Sequence, residues 1–295
     1  MRFLIYTCLI GAALLSSCEE VFELNVEIPS EIDIDSRIQA GHTPEVNARV
    51  IDGRGQVINY DLLKESHVTI QPEGTGAIDL ELSSFSDSSS TFLSEIVIEA
   101  GKTYTLTIQS PGLPDVSSVT EVPANVSVRK GSGGTRGPKG GILPDGNFYL
   151  LPLVFDDRIQ EDNYYHIVVT IRDANSDTEV VDPVTLNFGI SPMPSDARRF
   201  KETGWLFSDK DFQDNTFDAN IRILKEAVLQ FPDPVATLEL RTVSVDYFNY
   251  HIQSSRPKSS NLPNHGQFGT IDNVSGGGGL FGGYSSDKSS YPLEF

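Results

Sequence analysis

Cysteine is nearly absent from this chain: two occur among 295 residues, Cys8 and Cys18. From residue 19 onward there is no thiol, so the body can hold neither an intramolecular disulfide nor a cysteine nucleophile. Tryptophan occurs once, as Trp205, and histidine five times, as His42, His67, His166, His251 and His265. No two of these imidazoles stand at the three- or four-residue spacing of a zinc-type pair. Basic residues are scarce too: 22 Lys and Arg face 41 Asp and Glu, a net charge of −19. A field of that sign repels phosphate backbones and anionic headgroups, which argues against nucleic-acid binding and electrostatic adhesion to lipid. No apolar run reaches the roughly 20 residues needed to span a bilayer. Beyond the first fifteen residues no long amphipathic helical period occurs, so nothing points to an α/β fold.

What the chain does have begins at its first residue. Met1 and Arg2 are followed by the 13-residue, almost wholly apolar run Phe3–Leu15 and the small residues Ser16 and Ser17. A charged start, an apolar stretch and a small-residue cleavage site make a secretory signal. The tetrad Leu15-Ser16-Ser17-Cys18 resembles a bacterial lipoprotein signal. That resemblance implies cleavage between Ser17 and Cys18, removal of residues 1–17, a thioether-linked diacylglycerol (diacylglyceryl cysteine) on Cys18, and fatty acylation, as by palmitate, of its amine. Three acyl chains, at ~0.8 kcal/mol per buried methylene, hold a protein on a membrane almost permanently. The acids Glu19, Glu20 and Glu23 resemble the export signal that sends lipoproteins to the cell-surface face of the outer membrane. Residues 18–40 then read as an acidic tether.

From residue 41 the hydrophobic period becomes two. "VNARVID" (46–52), "HVTIQPE" (67–73), "IDLELSS" (78–84), "FLSEIVIEA" (92–100), "YTLTIQS" (104–110) and "VSSVTEV" (116–122) alternate apolar with polar residues between Gly-, Pro- and Ser-rich breaks. Short strands at this spacing predict an immunoglobulin-like β-sandwich over residues 41–124. A second β-rich domain with short helices is expected over 125–295, making the chain all-β. Its strands are "FYLLPLVFDD" (148–157), "NYYHIVVTIRD" (163–173), "VTLNFGI" (184–190), "NIRILKEAVL" (220–229) and a segment from Val235. That last segment turns helical where Val245, Phe248 and Ile252 share one face. The stretch "KGSGGTRGPKGG" (130–141) carries Lys130, Arg136 and Lys139 among six glycines, which predicts a mobile, solvated loop.

Signatures of chemistry are missing. "GGGLFG" (277–282) matches a dinucleotide-type glycine spacing, but neither a helix nor room for the partner acid follows it. Its glycines read instead as sites where backbone packs closely beside Phe281 and Tyr284. No Gly-x-Ser-x-Gly elbow exists. The acids Asp156, Asp157, Glu161, Asp162, Asp209 and Asp211 are candidates for paired carboxylates, which glycosidases hold about 5–9 Å apart. Asp209, Asp211 and Asp214 lack the glycine and terminal Glu of a calcium loop. His166 and His251 read as core histidines. Trp205 is the one candidate ligand aromatic, against the plainer reading of a packed core ring. No catalytic residue, metal ligand or cofactor is assigned.

Five stretches carry a wider resemblance: "IEAGKTYTLTIQSPGLPDVSSVTEVP" (98–123), "DNYYHIVV" (162–169), "WLFSDKDF" (205–212), "LELRTVSVDYFNYH" (238–251) and "DNVSGGGGLFGGYSSD" (272–287). With the lipid-attachment tetrad they resemble the outer-membrane lipoprotein family known as domain of unknown function 4249. The resemblance implies a two-part β fold at the outer membrane, no enzymatic activity, and company with a TonB-dependent β-barrel transporter or another outer-membrane machine. The expected role is that of an accessory or ligand-capture partner. The alternative is a structural subunit of an envelope assembly with no small-molecule ligand.

Overall fold

The computed structural model describes residues 30–295, except 53–55, 59–60, 87–88, 130, 132–133, 139, 159–160, 175–183, 186–187, 201–203, 214 and 255–272. The first part of the chain supplies β1 (Glu31–Gln39), β2 (Glu45–Ile51), the one-turn α1 (Asp61–Lys64), β3 (His67–Pro72), β4 (Ile78–Phe85), β5 (Ser90–Leu93), β6 (Lys102–Gln109) and β7 (Val116–Val122). Then come β8 (Thr135–Arg136), β9 (Ile142–Leu143), β10 (Phe148–Asp156), β11 (Tyr164–Asp173), β12 (Val184–Thr185), β13 (Phe188–Ser191), β14 (Arg198–Phe200) and β15 (Gly204–Ser208). The chain ends with β16 (Thr216–Leu224), β17 (Pro234–Val243), helix α2 (Val245–Ser254), β18 (Val274–Ser275) and the long β19 (Gly278–Pro292). The protein is all-β, with few and short helices.

β1 lies inside the span expected to be tether. Its cause is local: Ile32, Ile34 and Ile38 recur at even spacing and are fully buried, with Ser36 completing the inward row. Acids on the outward positions gave residues 31–40 a polar composition that hid this period. The run 92–100, by contrast, stops being strand at Leu93 and continues as an irregular segment in which only Ile98 is buried deeply.

Two cores organise the molecule. The first is mostly aliphatic, from Ile32, Ile34, Val46, Val50, Val68, Ile70, Leu106 and Ile108, with Phe92, Tyr104 and Phe281 as its rings. The strand path β19–β1–β2–β5–β4–β3–β6–β7–β18 wraps around it. The second lies between the sheet β14–β15–β11–β17–β19 and the three-stranded sheet β10–β16–β13. It is aromatic: Phe155, Tyr165, Phe207, Phe212 and Phe217 form a chain of rings 4.7–6.2 Å apart between centroids. In β10 the even turnover of Tyr149, Leu151, Leu153 and Phe155 faces this core, so the continuous apolar run has one fully buried side.

β19 belongs to both. Its first half pairs parallel with β1, Asp33 opposite Gly278 through Gln39 opposite Tyr284. Its second half pairs antiparallel with β17, Val243 opposite Tyr284 through Val235 opposite Pro292. Glycine is required in the first half for a steric reason. Gly279 sits at φ +101°, and a Cβ there would strike the Ile34 carbonyl oxygen. A Cβ at Gly283 would strike the carbonyl oxygen of Glu121 in β7. The glycines of "GGGLFG" and its neighbours are therefore backbone-packing sites, and Phe281 is buried in the first core beside them.

The glycine-rich stretch 130–141 differs from a free loop where it is described. β8 pairs with β9, Gly131 packs on Pro152, and the carboxylate of Glu294 accepts the Gly141 N–H at 2.6 Å. The stretch closes on an anion of its own chain, and its glycines admit that carboxylate where side chains would not.

Candidate functional site

Ser17 and Cys18, expected as the cleavage and lipidation positions, and the acids Glu19, Glu20 and Glu23, expected as an export signal, lie outside the described residues. The structure bears on them only through β1, which starts at Glu31, thirteen residues past Cys18.

Within the body, the richest cluster of chemistry-bearing groups sits where the two sandwiches meet. α2 lies on the outer face of the central sheet, away from the aromatic core. Ser244 starts it: its hydroxyl accepts the Tyr247 N–H at 3.2 Å, and also the Gly283 N–H of β19 at 3.2 Å. One cap thus fastens the helix to the shared strand. Tyr247 and His251, one turn apart, then point at the same patch of sheet. There they meet Phe200, Leu206 and Val243, with Tyr164, Phe248 and Ile252 packed around them.

Cross-strand register decides what lies beneath. His166 in β11 is opposite Leu206 in β15 and Arg241 in β17. Residues directly opposite share a face, so imidazole and guanidinium lie side by side under the helix. His166 is 1% exposed, and its Nδ1 hydrogen-bonds the Tyr247 hydroxyl at 3.0 Å. Its Nε2, lying against Gly204, has no hydrogen-bond partner among the described residues. Burial, with the charges of Arg241 and Arg37, holds this imidazole well below the ordinary histidine pKa. His251 is 1% exposed as well, its ring 4.1 Å from Phe200 and 4.6 Å from Tyr247.

Arg241 is itself held. It donates to Glu239 at 3.0 Å, and its guanidinium lies 5.1 Å from the centre of the Tyr284 ring. Burial pushes the Glu239 carboxyl up, but the hydrogen bond and charge of Arg241, with Lys288 beyond, overcome it and leave the pKa below the usual carboxylate range. Tyr284 donates its hydroxyl proton to Gln39 of β1 at 2.9 Å, and the Gln39 amide donates to Ser286 at 3.1 Å. A continuous polar strip therefore crosses from β17 over β19 to β1.

The acids singled out as catalytic pairs are distributed among separate partners. Asp156 pairs with Arg129 and accepts the Thr216 hydroxyl at 2.7 Å. Asp157 accepts the Tyr165 hydroxyl at 2.6 Å; burial, aided by this hydrogen bond, raises that phenol's pKa. Glu161 pairs with Arg158 at 3.0 Å. Asp209 is buried, accepts the Asn163 N–H at 2.8 Å, and is shifted upward by desolvation. Asp211 caps the backbone and hydroxyl of Ser195, which pulls its pKa down. Among the described residues no three His, Cys, Asp or Glu converge as a metal site would require.

Trp205 is half-buried against the aromatic core, its indole N–H donating to the Phe188 carbonyl at 2.8 Å and its ring 5.5 Å from the Arg199 guanidinium. Strand alternation sets it on the opposite side of the sheet from Tyr247, because Trp205 pairs with Ile167 whereas Leu206 pairs with His166. An open depression on the outer face of β10–β16–β13 is lined by Asp145, Phe148, Leu150, Ser191, Asn220 and Arg222, the guanidinium lying 4.3 Å above the Phe148 ring.

His166 and His251 were legible as core histidines; that they share one site with Arg241, Glu239 and Tyr247 was not. The signal was the alternation of Glu239 and Arg241 inside an otherwise buried strand that runs straight into a helix.

The architecture defines the class: a two-core β protein stitched along its last strand, with a helix clasped over the seam. The chain belongs to the family described as Domain of unknown function (DUF4249), which matches residues 23–290. No curated protein matches it. A crystal structure of a DUF4785 family protein from Legionella pneumophila subsp. pneumophila str. Philadelphia 1 is similar at 10% identity and a TM-score of 0.27, covering 72% of this chain and 52% of that one. The similarity thus spans about half of that protein, and at this score it carries no argument.

Proposed function

We propose that this protein is a non-catalytic lipoprotein of the outer membrane, anchored at Cys18 on the cell-surface face, and that it serves as an accessory partner of a TonB-dependent β-barrel transporter. The observation that carries the reading is the lipid-attachment tetrad Leu15–Cys18 followed, only thirteen residues later, by the first strand of a folded body. A leash of about 45 Å keeps that body within reach of neighbours in the same membrane. Net charge of −19 keeps it from settling on anionic headgroups. Asp156, Asp157, Glu161, Asp209 and Asp211 are each engaged in a hydrogen bond or ion pair with a neighbouring residue, which favours a scaffold over a hydrolase.

Affinity purification of the full-length protein from mild detergent tests the partnership. A β-barrel transporter recovered in near-stoichiometric amount is expected. Recovery of a soluble envelope complex without a barrel would favour the structural-subunit reading, and turnover of an extracellular polymer by the purified protein would overturn both.

A further inference from the structure

The outer face of the three-stranded sheet carries polar groups that the fold itself does not use. β16 runs between β10 and β13, and its inward residues Ile221 and Ile223 join the aromatic core. By alternation Asn220 and Arg222 point the other way, with Leu150 and Gly189 opposite Arg222 and Ser191 opposite Asn220. Among the described residues Leu150, Ser191, Asn220 and Arg222, with Asp145 and Phe148, line an open hollow of about 270 Å³. Sites for drug-sized molecules begin at about 300 Å³, so this one suits a smaller ligand.

Arg37, Arg49, Arg129, Arg158 and Arg241 each hold a carboxylate of their own chain. Arg222 holds none among the described residues, and its guanidinium lies 4.3 Å from the centre of the Phe148 ring instead. The ring fixes the cation and offers no acceptor oxygen, so the guanidinium fork stays free to donate. Asp145, on the same hollow, is exposed and its carboxylate makes no ion pair among the described residues. Backbone sets its position: its N–H donates to the Phe148 carbonyl at 2.7 Å, and its carbonyl accepts the Phe148 N–H at 3.2 Å, around Gly146 at φ +60°. The Asn220 amide and the Ser191 hydroxyl are likewise unengaged among the described residues. Gly189 keeps the flank beside Arg222 clear, since a Cβ there would meet the Arg222 Cβ at 3.9 Å and nothing closer. The crowding that explains Gly279 and Gly283 is therefore missing at Gly189. A strand glycine without a packing cause suits the close approach of another group.

We propose that this hollow binds a small zwitterion, an apolar α-amino acid, with its carboxylate on Arg222 and its ammonium on Asp145. A cation and an anion that pair neither with each other nor with a described neighbour match a ligand carrying one charge of each sign. A purely anionic ligand would meet Asp145 and the field of a chain of net charge −19. A neutral sugar would leave both charges unmatched. The Asn220 amide and the Ser191 hydroxyl supply further donors to the carboxylate. Phe148 and Leu150, with the exposed Leu224 opposite Phe148, take the hydrocarbon side chain. The site goes beyond the accessory role proposed above and does not depend on the lipid anchor.

Equilibrium dialysis of the full-length protein in mild detergent against radiolabelled L-leucine tests this. Saturable, equimolar uptake is expected. Arg222→Gln and Asp145→Asn should each weaken it roughly 5- to 10-fold, while Lys210→Gln, which removes an exposed charge elsewhere, leaves it unchanged. N-acetyl-L-leucine, which lacks the ammonium, and L-leucinamide, which lacks the carboxylate, should each compete at least roughly fivefold less well than leucine. Both substituted side chains are exposed, and an unchanged thermal midpoint shows that the variants fold. Absence of saturable leucine uptake overturns the proposal, whatever else the hollow takes up. So does wild-type affinity in either Arg222→Gln or Asp145→Asn, or competition by N-acetyl-L-leucine equal to that by leucine, which would mark a site for carboxylates alone.

Discussion

The two halves of β19 show one strand doing two jobs with different residues. Gly278–Tyr284 runs parallel to β1 and presses backbone against backbone, on Ile34 to one side and on Glu121 of β7 to the other. Ser285–Pro292 runs antiparallel to β17, where ordinary side chains fit and Tyr291 reaches into the aromatic core to donate to the Pro152 carbonyl at 3.0 Å. The first half closes an aliphatic core by leaving side chains off wherever neighbouring backbone crowds it and by inserting one ring, Phe281. The second half closes an aromatic core by supplying one. The lesson is that a glycine run of this kind is a steric requirement of closing the first sandwich, and it depends on the distance between backbones rather than on flexibility.

That contrast can be broken at graded cost. Phe155→Ala removes the centre of the ring chain, with Tyr165 at 4.7 Å and Phe217 at 5.0 Å, and is expected to cost about 4 kcal/mol in chemical denaturation. Gly279→Ala, though it adds a single methyl, is expected to cost about 3 kcal/mol, because the left-handed backbone and the Ile34 carbonyl both oppose it. A thermal midpoint within a degree of wild type would refute the seam. Asn273→Ala comes next. Its side chain donates to the Val119 carbonyl at 2.9 Å and the Phe281 carbonyl at 2.7 Å, and accepts the Phe281 N–H at 3.1 Å, bridging β7 to β19, which do not pair with each other among the described residues. Loss of about 2 kcal/mol is expected, concentrated in the first sandwich by hydrogen exchange.

Acid titration of the Glu239–Arg241 pair is subtler. The Glu239 pKa is lowered in the folded state, so its contribution is complete above the ordinary glutamate value of about 4.3 and is lost as pH falls through the lower folded value. Glu239→Gln should flatten that part of the stability profile and leave the profile above about pH 5 parallel to wild type. At the bottom of the scale stands Ser290→Ala in the second half of β19. This exposed serine shares a hydrogen bond with Thr237 at 3.2 Å, and its removal is expected to change stability by no more than about 0.5 kcal/mol. A cost at Ser290 as large as that at Gly279 would erase the distinction between the halves.

Much of the strand content could be read from alternation alone, because Val116–Val122 or Lys102–Gln109 buries every second residue without exception from Tyr104 onward. The turn from strand to helix at Ser244 was legible too, since Val245, Phe248 and Ile252 recur at helical spacing. β1 was obscured by Asp33 and Asp35 on its wet face, where a composition-based reading sees tether and a periodic one sees strand. The shared strand was beyond local reading altogether. The pairing of Gln39 with Tyr284 joins residues far apart in the chain, and only the closing of the first core selects it. The site under α2 shares that cause, being the product of a register that sets His166 opposite Arg241. Trp205 drew attention as the single tryptophan, but rarity in a chain says nothing of which side of a sheet a residue faces.

Intact mass and peptide mass spectrometry of the protein isolated from its native cells tests most directly whether lipid at Cys18 holds this body. The expected result is a chain that begins at Cys18, with a diacylglyceryl thioether on the sulfur and a fatty acid on the amine. A free Cys18 thiol, or residues 1–17 still attached, would contradict it.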